Sequence, residues 1–239
     1  MSRIAKTKQA EFVMDKVFAG RRDGFFVEMG ALDGIQSSNT ILLERDLSWR
    51  GICIEPNPRL FSRLVRNRDC RCVMACVDEK RDFAEFRMFA GQSGIIAEDT
   101  DQHPVIHQRE IREARRKKAT FTIPTVPLVD VLAACDAPAL IEYFSLDVEG
   151  AEFRVLGKFP WERFRFGCLT IERPLRVLNR VLMQQGYHFV ERFAMDCCYV
   201  HDDFFDDHRL GVQKGAWKTF PSWVLRGGRK RFVGGIRAD

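Results

Sequence analysis

Two short stretches of this 239-residue chain gather carboxylates and glycines at a spacing that can do chemistry. The first, Glu28-Met29-Gly30-Ala31-Leu32-Asp33-Gly34, comes directly after the apolar run Phe25-Phe26-Val27. It stands where a dinucleotide fold carries its glycine-rich turn, yet it lacks the G-x-G-x-x-G spacing that lets a backbone approach a diphosphate closely. A ligand with a small carboxylate and a cationic end asks for less: a tight turn, free N–H groups and an acid. Glu28 and Asp33 supply the acidic lining, and Gly30 and Gly34 permit the turn. Glu55 closes the next apolar run about twenty residues later, where an acid can accept both hydroxyls of a ribose. Asp78, after the third run, is placed to reach an adenine amino group. The second stretch, Asp147-Val148-Glu149-Gly150-Ala151-Glu152, crowds three carboxylates, which is costly without a cation or hydrogen-bond donors nearby. Asp147 is the candidate for a ligand's cationic end or for orienting an acceptor hydroxyl. Glu149, and then Glu172, are further acid–base or positioning candidates, with His103, His107 and His201 as alternatives. Read singly, Gly30 and Gly34 are also ordinary loop glycines, Glu55 a solvated strand end, and Glu149 and Glu152 acids suited to a helix's first turn.

These residues need strands to place them. Glu11 to Phe18 reads as an amphipathic helix, with Phe12, Val13 and Val17 on one face. Phe25 to Met29 and Gly51 to Glu55 have the continuous apolar character of strands buried on both faces, joined by a helix whose start is marked by Ser37-Ser38-Asn39-Thr40. The unit repeats with a helix from Pro56-Asn57-Pro58, carrying Leu60, Phe61, Leu64 and Val65, and a strand from Cys72 to Val77. Phe83, Phe86 and Phe89 mark a further extended stretch. Gly91 to Thr120 is poorer in apolar residues and reads as an irregular insertion with one exposed helix, a candidate lid. Next come a helix around Leu128, Val131 and Leu132, a strand from Leu140 to Leu146 and another from Leu169 to Glu172. After a helix from Pro174 to Gln185, His188 to Phe193 and Cys197 to His201 read as a closing antiparallel pair. This alternation predicts a doubly wound, mostly parallel α/β sheet, in which ligands bind beyond the carboxyl ends of the strands. Glu28, Gly30, Glu55 and Asp147 all fall at such ends, and S-adenosylmethionine has the charges that they would suit.

Composition bounds the alternatives. With 46% hydrophobic residues, 20 Phe and a net charge of +5, the chain has the material for one core and no signature of disorder. No apolar run reaches the ~20 residues of a membrane span, and the first residues lack the apolar stretch of a signal peptide. Cys53, Cys76, Cys135 and Cys168 lie in apolar segments, as small hydrophobes do, so the eight cysteines suit a reducing, cytoplasmic setting. Neither Cys70-Arg71-Cys72 nor Cys197-Cys198 has the spacing of a zinc or redox motif, and no metal is expected. We expect one domain over residues 1–239: an amino-terminal helix within 1–24, a core over 25–205 interrupted at 91–120, and a basic tail from 206.

The motifs Val27-Glu28-Met29-Gly30-Ala31-Leu32-Asp33-Gly34, Ser38-Asn39-Thr40, Trp49-Arg50-Gly51, Ile54-Glu55-Pro56-Asn57-Pro58, Ser93-Gly94 and Ser145-Leu146-Asp147-Val148-Glu149-Gly150-Ala151-Glu152 together resemble the FkbM family of S-adenosylmethionine-dependent methyltransferases. Gly186-Tyr187 adds to the likeness, which runs from about Phe25 to Val200. Leu32 departs from it, since many members carry Asn after the Gly-Ala pair. The resemblance implies a Rossmann-like class I methyltransferase fold and O-methylation of a hydroxyl on a sugar, glycan or small-molecule natural product. It implies a cofactor site drawn from Glu28, Gly30, Ala31, Asp33 and Gly34, with Ser38, Asn39 and Thr40 beyond them. Glu55, Pro56, Asp78 and Asp147 complete it. Two other readings stand beside this one. A non-catalytic binding module would be expected to have lost the strand-end acids. An RNA methyltransferase would use the pI near 8.8 and the runs Arg115-Arg116-Lys117-Lys118 and Arg229-Lys230-Arg231, which lack interleaved stacking aromatics, so nucleic acid is not the expected partner.

Overall fold

The computed structural model describes residues 7–205, and the expected basic tail lies outside the described residues. Eleven strands are described: β1 (Phe25–Met29), β2 (Arg50–Ile54), β3 (Arg71–Val73), β4 (Cys76–Val77), β5 (Asp82–Arg87), β6 (Gly94–Ile95), β7 (Thr120–Val126), β8 (Leu140–Leu146), β9 (Arg165–Glu172), β10 (Tyr187–Phe193) and β11 (Asp196–His201). Seven of them form one sheet in the order β10-β11-β9-β8-β1-β2-β3. β9, β8, β1, β2 and β3 run parallel, and β11 enters antiparallel to both β9 and β10. The chain is therefore a mixed α/β protein with a mostly parallel sheet.

The helices are α1 (Lys8–Phe12), which continues as a π-helical turn over Val13–Val17, α2 (Ile41–Leu47), α3 (Pro58–Asn67), α4 (Gln108–Arg116), α5 (Leu128–Ala134), α6 (Glu152–Leu156), α7 (Arg176–Gln184) and α8 (Asp202–Phe205). Alternation along the strands divides the core between the two faces of the main sheet. Val27, Ile52, Phe144 and Leu169 pack on one face with Leu132 of α5, Val155 and Leu156 of α6, and Leu178 and Leu182 of α7. Phe26, Cys53, Tyr143 and Cys168 pack on the other with Val13 and Val17, Leu43 of α2 and Leu64 of α3. Asn57 caps α3, its Oδ1 accepting from the Arg59 amide at 3.0 Å, whereas α2 starts after Thr40, whose side chain makes no cap bond, and Ser38 Oγ accepts from the Ile41 amide at 3.1 Å instead.

Several sequence expectations change. The single strand expected from Cys72 to Val77 is two strands in different sheets. β3 ends the main sheet at Val73, the strand breaks at exposed Met74, and β4 pairs with β7 instead. β4-β7-β5-β6 is a second, four-stranded sheet around Cys76, Phe86 and Ile95. The 91–120 insertion is correspondingly more ordered than its composition suggests. β6 adds to β5, while α4 buries Ile111 and Ala114 and holds Glu85 through a bidentate Arg115. β9 starts four residues earlier than expected, because Arg165 and Gly167 hide the strand pattern that tertiary pairing restores.

Candidate active site

The strand order reverses between β1 and β8, and the site lies at their carboxyl ends. Gly30 occupies that point with φ +80°, and a Cβ on it would lie 1.9 Å from the Asp147 carbonyl oxygen. Only glycine permits this approach. The ladder continues past both strands, with the Asp147 amide donating to Met29 O at 3.1 Å and the Gly30 amide to Ile54 O at 3.1 Å. A crevice of about 600 Å³, open mouth included, begins here. One wall carries Gly30, Glu55, Pro56, Asp147 and Glu149 from the main sheet's strand ends. The second sheet supplies the facing wall of Cys76, Val77, Phe86, Gly94 and Ile95. The crevice is lined mostly by apolar residues, with Glu55, Asp147 and Glu149 as its acids.

Glu55 is buried, and each carboxylate oxygen accepts one amide: Oε2 from Leu32 at 2.9 Å and Oε1 from Asn57 at 2.8 Å. Burial nevertheless pushes its pKa up to about 7, the two amides pulling the other way. Leu32 itself sits at φ 51°, which turns its amide onto Glu55. Asp147 reaches solvent through the crevice, but enclosure on its other sides, then the Glu172 carboxylate, holds its pKa well above the usual range. Burial and then Glu172 raise Glu149 to about 7. Glu152, fully enclosed, is raised to about 8 by burial while its Oε1 accepts from the Val148 and Gly150 amides. Several neighbouring acids thus titrate near neutrality, a property that clusters at functional sites.

The structure brings Gly30, Glu55, Pro56, Asp147 and Glu149 onto one wall and sets the other expected residues around it. Glu28 points to the opposite face of β1. It accepts from Ser38 Oγ at 2.8 Å, the Asn39 amide at 2.7 Å, Thr40 Oγ1 at 2.7 Å and Arg68 Nη1 at 3.0 Å. Arg68, its side chain fully buried, also pairs with Glu44 and stacks on Phe26. Asn39 Nδ2 donates to Ser145 Oγ at 3.0 Å, tying this network to β8. Ser38, Asn39 and Thr40 therefore brace the turn from behind. Asp33 Oδ1 accepts from the Ile35 and Gln36 amides, Ala31 donates its amide to Ile54 O, and Gly34 packs against Arg68 and Leu64. Asp78 forms a two-pronged pair with Arg154 at 2.8 and 2.6 Å. Glu172 ends β9, near enough for its carboxylate to raise the pKa of Asp147. His103 caps its own loop, accepting from the Val105 amide, and His201 faces Asp203.

Sequence reasoning missed Arg68, Arg173 and Asp101. Arg173 places its Nη2 2.7 Å from Glu172, 2.7 Å from Asp101 and 3.3 Å from Glu149. Its position directly after Glu172 was a usable signal, but Arg68, among several basic residues in and around α3, gave none. Asp101, Glu149 and Glu172 bring carboxylate oxygens within 4.8 Å of one another, and the cation they surround is this guanidinium.

Over residues 28–196 the chain matches the family described as Methyltransferase FkbM domain, well over half of its length. The chain belongs to the FkbM methyltransferase family. A solved structure similar to this FkbM chain, the methyltransferase FkbM from Methylobacillus flagellatus KT, is 13% identical to it, with a TM-score of 0.43. The match covers 82% of this chain and 48% of that one, so the chain matches about half the length of that protein. No curated protein matches the sequence. Among the described residues no helix is long and apolar enough to cross a membrane, and all eight cysteines are free thiols.

Proposed function

We propose that this FkbM-family chain is an S-adenosylmethionine-dependent methyltransferase with a Rossmann-like class I core, which methylates a hydroxyl on a sugar, glycan or small-molecule natural product. The observation that carries the reading is the joint placement of Gly30, Glu55 and Asp147 at three strand ends around one crevice, at the point where the sheet order reverses. The residues of the crevice fit the cofactor: Glu55 keeps a lone pair on each oxygen for a ribose hydroxyl, Cys76, Val77, Phe86 and Ile95 suit an adenine, and Asp147 suits an ammonium.

Bound there, the cofactor would supply an already activated methyl group, so the protein's task is alignment and a place for the acceptor's proton. Asp147 serves at one of two places, holding the ammonium or orienting the hydroxyl. Glu149, poised at about 7, can take up its proton near neutral pH. Gly30 lets the Asp147 backbone close on the end of β1 at the crevice, and the second sheet supplies apolar lining. A nucleic-acid acceptor is disfavoured because Arg115 and Lys117 of the basic run are neutralised by Glu85 and Glu113. The free thiols support a reducing, cytoplasmic setting.

Calorimetry with S-adenosylmethionine and its demethylated product tests the reading. Binding is expected, and Glu55→Ala should weaken it by about 1–3 kcal/mol through the lost ribose bonds. A folded protein giving neither heat nor thermal shift at millimolar cofactor would refute it.

A further inference from the structure

Three acids from three separate segments converge on one guanidinium beside the crevice. Asp101 comes from the loop before α4, Glu149 from the loop after β8 and Glu172 from the end of β9. Arg173 is held in place by its own backbone, at φ 42° with its amide donating to Met195 O at 3.1 Å. The loop is fastened a second time, since the Asp101 amide donates to Glu149 O at 2.9 Å. Gly94, on the crevice wall, packs between Gln102 and the Glu149 side chain. A half-buried arginine among acids is expected to hold them together against mutual repulsion.

We propose that Arg173 is a positioning residue for methyl transfer, a fixed cation that clamps Asp101 of the insertion to Glu149 and Glu172 and so sets the acceptor side of the crevice. Its part in methyl transfer rests on the methyltransferase reading, whereas the clamp rests on geometry alone. The charged groups facing Glu149 are Asp101, Asp147, Glu172 and Arg173, with Glu152 and Asp196 further round the same acidic wall. Asp101 pushes the Glu149 pKa up and Arg173 pulls it down. The two clamp partners therefore have opposite electrical effects on Glu149 but the same mechanical effect on the loop.

That opposition defines the experiment. Arg173→Met, Arg173→Lys and Asp101→Asn are compared with wild type in the full chain, by carboxyl carbon-13 NMR titration of Glu149, assigned with Glu149→Gln. Thermolysin cleavage at Val105-Ile106, both exposed, is followed in parallel. The Glu149 midpoint should rise by about one pH unit or more in Arg173→Met, return most of the way in Arg173→Lys and fall in Asp101→Asn. Cleavage should rise about threefold or more in both Arg173→Met and Asp101→Asn. Unchanged titration and cleavage in Arg173→Met would overturn the proposal, as would shifts of the same sign in Arg173→Met and Asp101→Asn. Calorimetry with the demethylated cofactor product separates the two claims. Absence of binding to the wild type would sink the methyltransferase reading, while the titration and cleavage results would still decide the clamp.

Discussion

Replacing Glu55 by Gln isolates a conflict that the fold builds into one side chain. Its two oxygens each accept a different backbone amide, Leu32 and Asn57, and a glutamine can accept only one of them. The other amide would face an NH₂ group, a loss of about 1–3 kcal/mol. Against this runs the cost of charging a buried acid. The folded pKa of about 7 lies above the ordinary value of 4.5, so between these values the folded state holds a proton that the unfolded chain has released. Stability of the wild type therefore falls as pH rises from about 4.5 to 7, by up to about 3 kcal/mol in all. Glutamine does not titrate. The variant should accordingly be less stable than wild type by about 1–3 kcal/mol at pH 5, with the gap closing or reversing by about pH 8.5. Urea unfolding at a series of pH values between about 4.5 and 8.5 measures this directly. A gap that widened with pH would mean that the amides stabilise the carboxylate more than burial penalises it, and would refute the reasoning.

Three further outcomes rest on named contacts. Gly30→Ala should cost at least about 2 kcal/mol and lower the melting temperature, because the new Cβ meets the Asp147 carbonyl and φ is positive; a wild-type melting temperature would show that β1 and β8 can part freely. Arg68→Met strands Glu28 and Glu44 without their cation and should destabilise by about 3–5 kcal/mol in denaturant titrations, and a loss under about 1 kcal/mol would mean that the hydroxyl and amide donors suffice. Asp147→Asn removes a charge whose pKa enclosure and Glu172 have raised, so its melting temperature at about pH 8 should equal or exceed wild type. Its kcat on an acceptor that the wild type methylates should drop about 100-fold, and normal turnover would pass the role to Glu149.

Local chemistry was legible wherever a segment's own residues decide its state. The apolar runs Phe25–Met29, Arg50–Ile54 and Leu140–Leu146 are strands because residues buried on both faces leave no other economical arrangement, and Asn57 caps a helix because its side chain reaches an amide two residues on. The same patterns placed Gly30, Glu55 and Asp147 at strand ends, and their order along the chain brought them to one crevice. Which way each acid faces was decided elsewhere. Glu28 and Met29 are neighbours in sequence, but the pleat sends Met29 to the crevice and Glu28 to the far face, where Arg68 from a later helix end takes up its charge. Cys72 to Val77 looks like one strand because periodicity carries no record of partners, and its second half leaves for β7, some fifty residues on, because the main sheet ends at β3. Asp101, Glu149 and Arg173 share no local pattern at all: their meeting depends on where the insertion folds back, a long-range contact that only the tertiary structure fixes.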